Sequence, residues 1–190
     1  KKTASHGITY RRVAPELHNL VQIFSDASHA ADPDTRRSVS GICGKVAGNT
    51  VFWKSWFQNI VSHSSFESEL MSVDKAATTG QHVKWICIAA GIEPVLPIPI
   101  FVDNEATVHV ASNPVQTDRN LHIHARYFYV RDMVDCGEYM VLHLGTKDQV
   151  SDILVTYKTV GNFQRLRSLL TGCAYVADDD EGRTWQTQYL

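Results

Sequence analysis

Apolar positions along this chain change period several times, and each change marks an element. β-forming residues predominate over 20–24 and run into Ser25-Asp26, whereas 31–37, with Asp32-Pro33-Asp34, carries turn chemistry, so a strand followed by a loop is predicted. Two further strand-like runs, 39–46 and 50–56, are joined through Ala47-Gly48-Asn49 as a hairpin. Ser64 and Glu67 have the spacing of a helix capping box, in which each residue satisfies a free backbone N–H of the first turn. Leu70, Val73, Ala76, Ala77, Val83 and Cys87 then recur at helical intervals, which predicts a long helix over about 65–90.

Gly91 is suited to stop that helix, Pro94 and Pro97 occupy the linker, and 98–102 has the continuous apolar character of a buried strand ending at Asp103. Helices are expected over 105–111 and 123–135, and a last strand over 139–144. Thr146 and Gln149 form a second capping-box pair, from which a helix is expected to run through Leu154. Beyond Thr159 there is one apolar cluster, 163–170, and then an acidic run, 178–181, that reads as a solvated tail. The order βββαβααβα predicts a mixed α/β layered domain.

The 190 residues divide into an extension over 1–18, one domain over 19–158 and a C-terminal helix and tail over 159–190. A formal charge of −2 gives no global attraction for a polyanion, so nucleic-acid contact would need a local patch. Cys43, Cys87, Cys136 and Cys173 are far apart and lack any Cys-x-x-Cys pair, which argues against a thiolate zinc site or a disulfide framework and favours an intracellular protein. No apolar run reaches the roughly 18 residues that a membrane span needs, and the N-terminal stretch lacks the apolar core of a signal peptide. The missing initiator Met suggests a piece cut from something longer.

The acidic residues carry the candidate chemistry. In-line hydrolysis of a phosphodiester requires charge stabilisation at the attacking and leaving oxygens, which two divalent ions supply, and Mg²⁺ requires hard oxygen ligands from converging carboxylates. Asp26 ends the first expected strand and Asp103 the fourth, at the sheet edge where α/β proteins place ligands. On the long helix, Glu67 shares a face with Met71, Asp74 and Thr78 and has an ordinary use in the Ser64 cap. Glu69 lines up with Val73, Ala76 and Gly80, and so points towards the sheet. An acid on an apolar face requires a metal or a basic partner. Asp148 and Asp152 are one turn apart on the last expected helix, and periodicity does not choose between them.

The chain resembles the ribonuclease H domain of copia-type LTR retrotransposon polyproteins over about 6–170. The resemblance rests on Phe24-Ser25-Asp26-Ala27, on 32–38 with Ser40-Gly41, on Ser64-Ser65 with Glu67-Ser68-Glu69, and on Val102-Asp103-Asn104. It continues through His122-Ile123, Arg126-Tyr127, 148–154 and 166–170. It implies a ribonuclease H-like fold, a mixed central sheet of three antiparallel strands with parallel additions, flanked by helices. It also implies catalytic, metal-holding roles for Asp26, Glu69, Asp103 and Asp152 with two Mg²⁺ or Mn²⁺ ions, and it selects Asp152 over Asp148. Asp26 would bridge both ions, Glu69 and Asp103 would hold one, and Asp152 would help hold the other beside the attacking water. Substrate contacts fall on Arg37, Ser38, Ser65 and Asn104.

The implied substrate is an RNA–DNA hybrid and the implied partner an upstream reverse transcriptase of the same polyprotein. The implied location is a cytoplasmic retroelement particle or the nucleus, with no small-molecule cofactor. The sequence departs from the family pattern where Thr-Glu-Ala-Glu-Tyr is Phe66-Glu67-Ser68-Glu69-Leu70, where His-Ile-Asp is His122-Ile123-His124, and where Thr-Lys-Pro is Val155-Thr156-Tyr157. These departures motivate a competing reading, a decayed or domesticated domain that only binds nucleic acid or protein. An integrase-like relative is a third reading, disfavoured because its acidic Glu follows the second Asp.

Other residues bear on substrate contact. Arg36, Arg37, Lys54, Lys75, Lys84, Arg126 and Arg131 are the cations available for phosphates. Trp53 and Trp56 flank Lys54 and could stack on a base, although core packing is expected for at least one. His122 and His124 lack the partners of a zinc site, and His143 falls within an expected strand.

Overall fold

The computed structural model describes residues 7–112 and 124–172. After a short 3₁₀ turn at Pro15–Leu17, the chain forms strands β1 (Val21–Ser28), β2 (Val39–Val46) and β3 (Asn49–Phe57), then helix α1 (Ser65–Ala89). Strand β4 (Ile98–Val102), helices α2 (Glu105–Ser112) and α3 (His124–Asp135), and strand β5 (Tyr139–His143) follow, and helix α4 (Val160–Thr171) comes after a second 3₁₀ turn at Val150–Leu154. The sheet order is β3-β2-β1-β4-β5, with β1–β2 and β2–β3 antiparallel and β1–β4 and β4–β5 parallel. This is the mixed α/β sheet that the pattern predicts.

Three expectations need correction or fall outside the described residues. β1 continues through Ser28, so Asp26 lies inside the strand and not at its end. The reason is the hairpin partner: β2 pairs with β1 over all eight positions, from Val21↔Val46 to Ser28↔Val39, and holds polar Ser25, Asp26 and Ser28 extended. The expected Thr146/Gln149 capping box and its helix do not form. Residues 150–154 make only a 3₁₀ turn, whose preceding Gln149 caps nothing, because the Gln149 side chain is drawn into the sheet and the Thr146 hydroxyl goes to Asp103. The acidic run 178–181 lies outside the described residues.

Alternation along β1 divides the interior into two cores. Val21 and Ile23 face α1 and pack with Ile42, Val73, Ala76, Ala77, Ile98, Ile100 and Tyr139. Phe24 faces the other way and stacks on Phe101 at 5.1 Å, in a second core with Cys43, Leu144 and Val150 closed by Leu154, Leu169 and Leu170. Burying each such aliphatic side chain contributes about 1.5–3 kcal/mol.

Helix α1 begins as expected: the Ser64 hydroxyl accepts from the Glu67 N–H at 3.1 Å, and the Glu67 carboxylate accepts from His63 N. Its close approach to the sheet depends on Gly80, where an added Cβ would lie 2.3 Å from Ile23 Cδ1. Serines then pin the first turns of α1 to the strand, since the Ser25 hydroxyl donates to Ser72 Oγ and the Ser72 hydroxyl donates to the Asp26 carbonyl, each at 2.9 Å.

A carboxylate cluster as candidate metal centre

Parallel pairing of β1 and β4 aligns Ile23 with Ile100 and Phe24 with Phe101, and carrying that register two residues further sets Asp26 beside Asp103. Glu69 arrives from α1. Carboxylate oxygens of Asp26, Glu69 and Asp103 lie within 4.8 Å of one another, the one such grouping of His, Cys, Asp or Glu among the described residues. Asp26 and Glu69 are each only 5% exposed, while Asp103 is half-buried.

The hydrogen bonding leaves this cluster electrically strained. The Ala27 N–H donates to both Asp26 Oδ1 (2.8 Å) and Glu69 Oε1 (3.1 Å), so one donor serves two buried acids. Glu69 Oε2 is buried with no hydrogen-bond partner. Asp103 Oδ2 accepts from the Thr146 hydroxyl at 3.2 Å, and the Asp103 carbonyl lies 3.2 Å from His143 Nε2. Burial, reinforced by Asp103 and Asp152, raises the Asp26 carboxyl from 3.8 to about 7. Burial, reinforced by Asp26 and Asp103, raises Glu69 from 4.5 to about 9. Converging oxygen donors, an orphaned buried oxygen and mutual repulsion fit a hard divalent cation, which would satisfy all three at once.

Asp152 stands next to this trio. It is 7% exposed on the Val150–Leu154 turn, stands near enough to Asp26 to raise that carboxyl, and forms an ion pair with Lys158 at 2.5 Å. The turn reaches this place because Gly41, paired with Asp26 across the hairpin, has no side chain. A Cβ there would lie 2.8 Å from both Leu154 Cβ and Val155 Cγ1. Asp148, the other acid of the pair, faces away and binds Arg165 of α4.

The remaining candidates separate by burial. Ser38 is buried, and its hydroxyl accepts from Ala30 N (3.0 Å) and bonds Ser62 (2.8 Å). Arg37 and Ser65 are exposed, and the half-buried Asn104 carboxamide accepts from Thr107 N at 3.2 Å at the start of α2. Of the cations, Lys84 pairs with Glu138 and Arg131 with Asp135. Trp56 packs on the core with Lys54 Nζ 5.2 Å from its ring, whereas Trp53 is exposed. His122 and the side chains of His124 and Arg126 lie outside the described residues.

Two residues near the cluster escape a reading of the sequence. Gln149 is fully buried, and its Nε2 donates to the Ser25 carbonyl of β1 (2.9 Å) and the Phe101 carbonyl of β4 (3.1 Å). It therefore ties together the two strands that deliver Asp26 and Asp103, although its spacing from Thr146 mimics a helix cap. Lys158 carries no local signal, because only the turn after Asp152 brings it back.

No family model matches the chain. It is 32% identical over 170 residues, 87% of its length, to the retrovirus-related Pol polyprotein from transposon RE1 of Arabidopsis thaliana, and 33% identical over 156 residues to that from transposon RE2. It covers 11% and 10% of those proteins respectively, so the chain spans about a tenth of the curated relatives it matches. Among solved structures, LC11-RNase H1, isolated from compost by a metagenomic approach, matches with a TM-score of 0.54 and 16% identity over 72% of this chain and 93% of that one. RNase H1 from the halophilic archaeon Halobacterium salinarum matches with a TM-score of 0.53 and 10% identity over 71% of this chain and 93% of that one. No helix among the described residues is long and apolar enough to cross a membrane. Sheet order and likeness to these structures give this chain the ribonuclease H fold, and its sequence is similar to a segment of retrotransposon Pol polyproteins.

Proposed function

We propose that this domain is a divalent-metal-dependent endoribonuclease that hydrolyses the RNA strand of RNA–DNA hybrids during the reverse transcription of a copia-type element. The convergence of Asp26, Glu69 and Asp103 within 4.8 Å, with Asp152 close enough to raise the Asp26 carboxyl, carries this reading. Asp26, Glu69 and Asp103 would hold one Mg²⁺ or Mn²⁺ ion, and Asp26 with Asp152 a second. When bound, such ions supply the Lewis acidity that stabilises charge on the attacking and leaving oxygens.

The protein's own contribution is to hold four acids at one end of the sheet against their repulsion. The Ala27 N–H fixes one oxygen of Asp26 and one of Glu69, and this leaves Glu69 Oε2 for a cation. Gln149 sets the separation of the strands bearing Asp26 and Asp103, and Gly41 admits the turn bearing Asp152. The exposed Arg37, Ser65 and Lys54, with Asn104 beside Asp103, are the groups offered to the hybrid backbone. Products would carry a 5′-phosphate and a 3′-hydroxyl, and a reverse transcriptase of the same polyprotein would supply the hybrid.

Cleavage of a labelled RNA–DNA hybrid in Mg²⁺ and in Mn²⁺, with duplex DNA and single-stranded RNA as controls, tests the proposal. Metal-dependent cutting of the hybrid's RNA alone, lost in Asp103→Asn, is the expected result. A folded protein that cuts nothing in either metal refutes it and leaves a nucleic-acid- or protein-binding domain.

A further inference from the structure

The four acids are not equivalent, because one of them already holds a cation. The Lys158 ammonium lies 2.5 Å from Asp152 Oδ2, with side-chain exposures of 16% and 11%, so the pair is largely shielded from water and salt. The backbone makes this pairing local and persistent. The N–H groups of Val155 and Thr156 both bond to the Asp152 carbonyl at 3.3 Å, so the chain folds back over Asp152 and returns Lys158 to its carboxylate. Asp26, Glu69 and Asp103, by contrast, carry no ion pair with Lys or Arg among the described residues, and one buried oxygen of Glu69 has no partner.

We infer that Lys158 is a tethered cation that occupies the Asp152 end of the cluster and makes its two divalent-ion positions unequal. The inference rests on the metal-dependent reading above. An ion entering between Asp26, Glu69 and Asp103 meets carboxyl groups that no Lys or Arg among the described residues pairs with. An ion entering between Asp26 and Asp152 must share a carboxylate with an ammonium held by its own chain, and either displaces it or tolerates its repulsion. Loading is therefore ordered, and Lys158 sets the threshold for the second ion. It acts as a positioning residue through Asp152, not by touching substrate.

Calorimetric titration of the metal-free chain with Mn²⁺ and with Mg²⁺ tests this in the wild type, Lys158→Met, Lys158→Arg and the double variant Lys158→Met/Asp152→Asn. Thermal unfolding serves as the fold check. The wild type is expected to bind one ion and to bind a second at least about ten-fold more weakly or not at all. Lys158→Met is expected to leave the first affinity unchanged and to gain or tighten the second by about ten-fold, which corresponds to about 1.4 kcal/mol. Lys158→Arg should keep the wild-type pattern, and the gain should vanish in the double variant.

Should Lys158→Met fail to fold, Lys158→Gln carries the same comparison, since it keeps a donor for Asp152 without the charge. A folded neutral variant whose ion count and affinities match the wild type, or whose second ion binds more weakly, overturns the inference. Two-ion binding indifferent to Lys158 leaves the metal-dependent reading intact, whereas no ion binding in any variant removes both.

Discussion

Replacing Glu69 by Gln isolates the electrostatic strain of the cluster, because the amide keeps an acceptor for the Ala27 N–H and removes only the ionisable group. The Glu69 carboxyl is raised from 4.5 to about 9, first by burial and then by Asp26 and Asp103. Between those values the fold keeps a proton that the unfolded chain has released, and each pH unit costs about 1.4 kcal/mol. At pH 7 the burden is about 3 kcal/mol as an upper figure, and at pH 5 less than about 1 kcal/mol. Relaxation around the buried acids reduces it, so Glu69→Gln should stabilise the metal-free protein at pH 7 by about 1–3 kcal/mol, or about 2–12 °C in Tm for a chain of this size.

Thermal unfolding followed by circular dichroism in chelator, from pH 5 to pH 8 at constant ionic strength, measures the gap. It should be near zero at pH 5 and widen with pH. Excess Mg²⁺ should reverse the order, since an ion bound by the folded cluster stabilises the wild type more than a variant lacking one ligand. A Glu69→Gln protein less stable than wild type in chelator at pH 7, or a gap independent of pH, would refute the strained-cluster account.

The wild type itself should lose stability in chelator as pH rises. Both Asp26 and Glu69 have raised carboxyls, so their contribution is intact below about pH 4 and falls away through about 7 for Asp26 and about 9 for Glu69, a decline that added Mg²⁺ should flatten in the same melting assay. Gln149→Leu leaves the buried Ser25 and Phe101 carbonyls without that donor and should destabilise by about 2–5 kcal/mol in denaturant unfolding. Gly41→Ala forces Leu154 and Val155 away and displaces Asp152, so hybrid cleavage should fall more than Mn²⁺ binding at the Asp26, Glu69 and Asp103 trio, as read by kinetics against calorimetry. Gly80→Ala sets a methyl group 2.3 Å from Ile23 Cδ1, and the overpacking should outweigh the gain in helix propensity by about 1–2 kcal/mol in urea melts.

What the sequence determined by itself follows from short-range periodicity. The α1 cap at Ser64, the buried face through Leu70, Val73, Ala76 and Ala77, the β2–β3 hairpin and the bounds of β4 are all written in spacings of two to four residues, which backbone geometry reads directly. Helical phase likewise separated Glu69 from Glu67, because an acid among apolar neighbours is forced inward with them. The resemblance, not the spacing, preferred Asp152 to Asp148.

Tertiary structure decided the rest. Asp26 lies within its strand because β2 extends the pairing, a matter of partner length that β1 does not encode. Gln149 serves a gap between β1 and β4, over one hundred residues from Ser25, and so its capping-box spacing to Thr146 was misleading. The ion pair of Asp152 with Lys158, the approach of its turn over Gly41 and the contact of Asp103 with Thr146 arise where distant segments meet. Local spacing specifies which face a side chain occupies, whereas the charge and hydrogen-bond partners that tune an acid are supplied by the elements packed against it, and those become neighbours only in the folded chain.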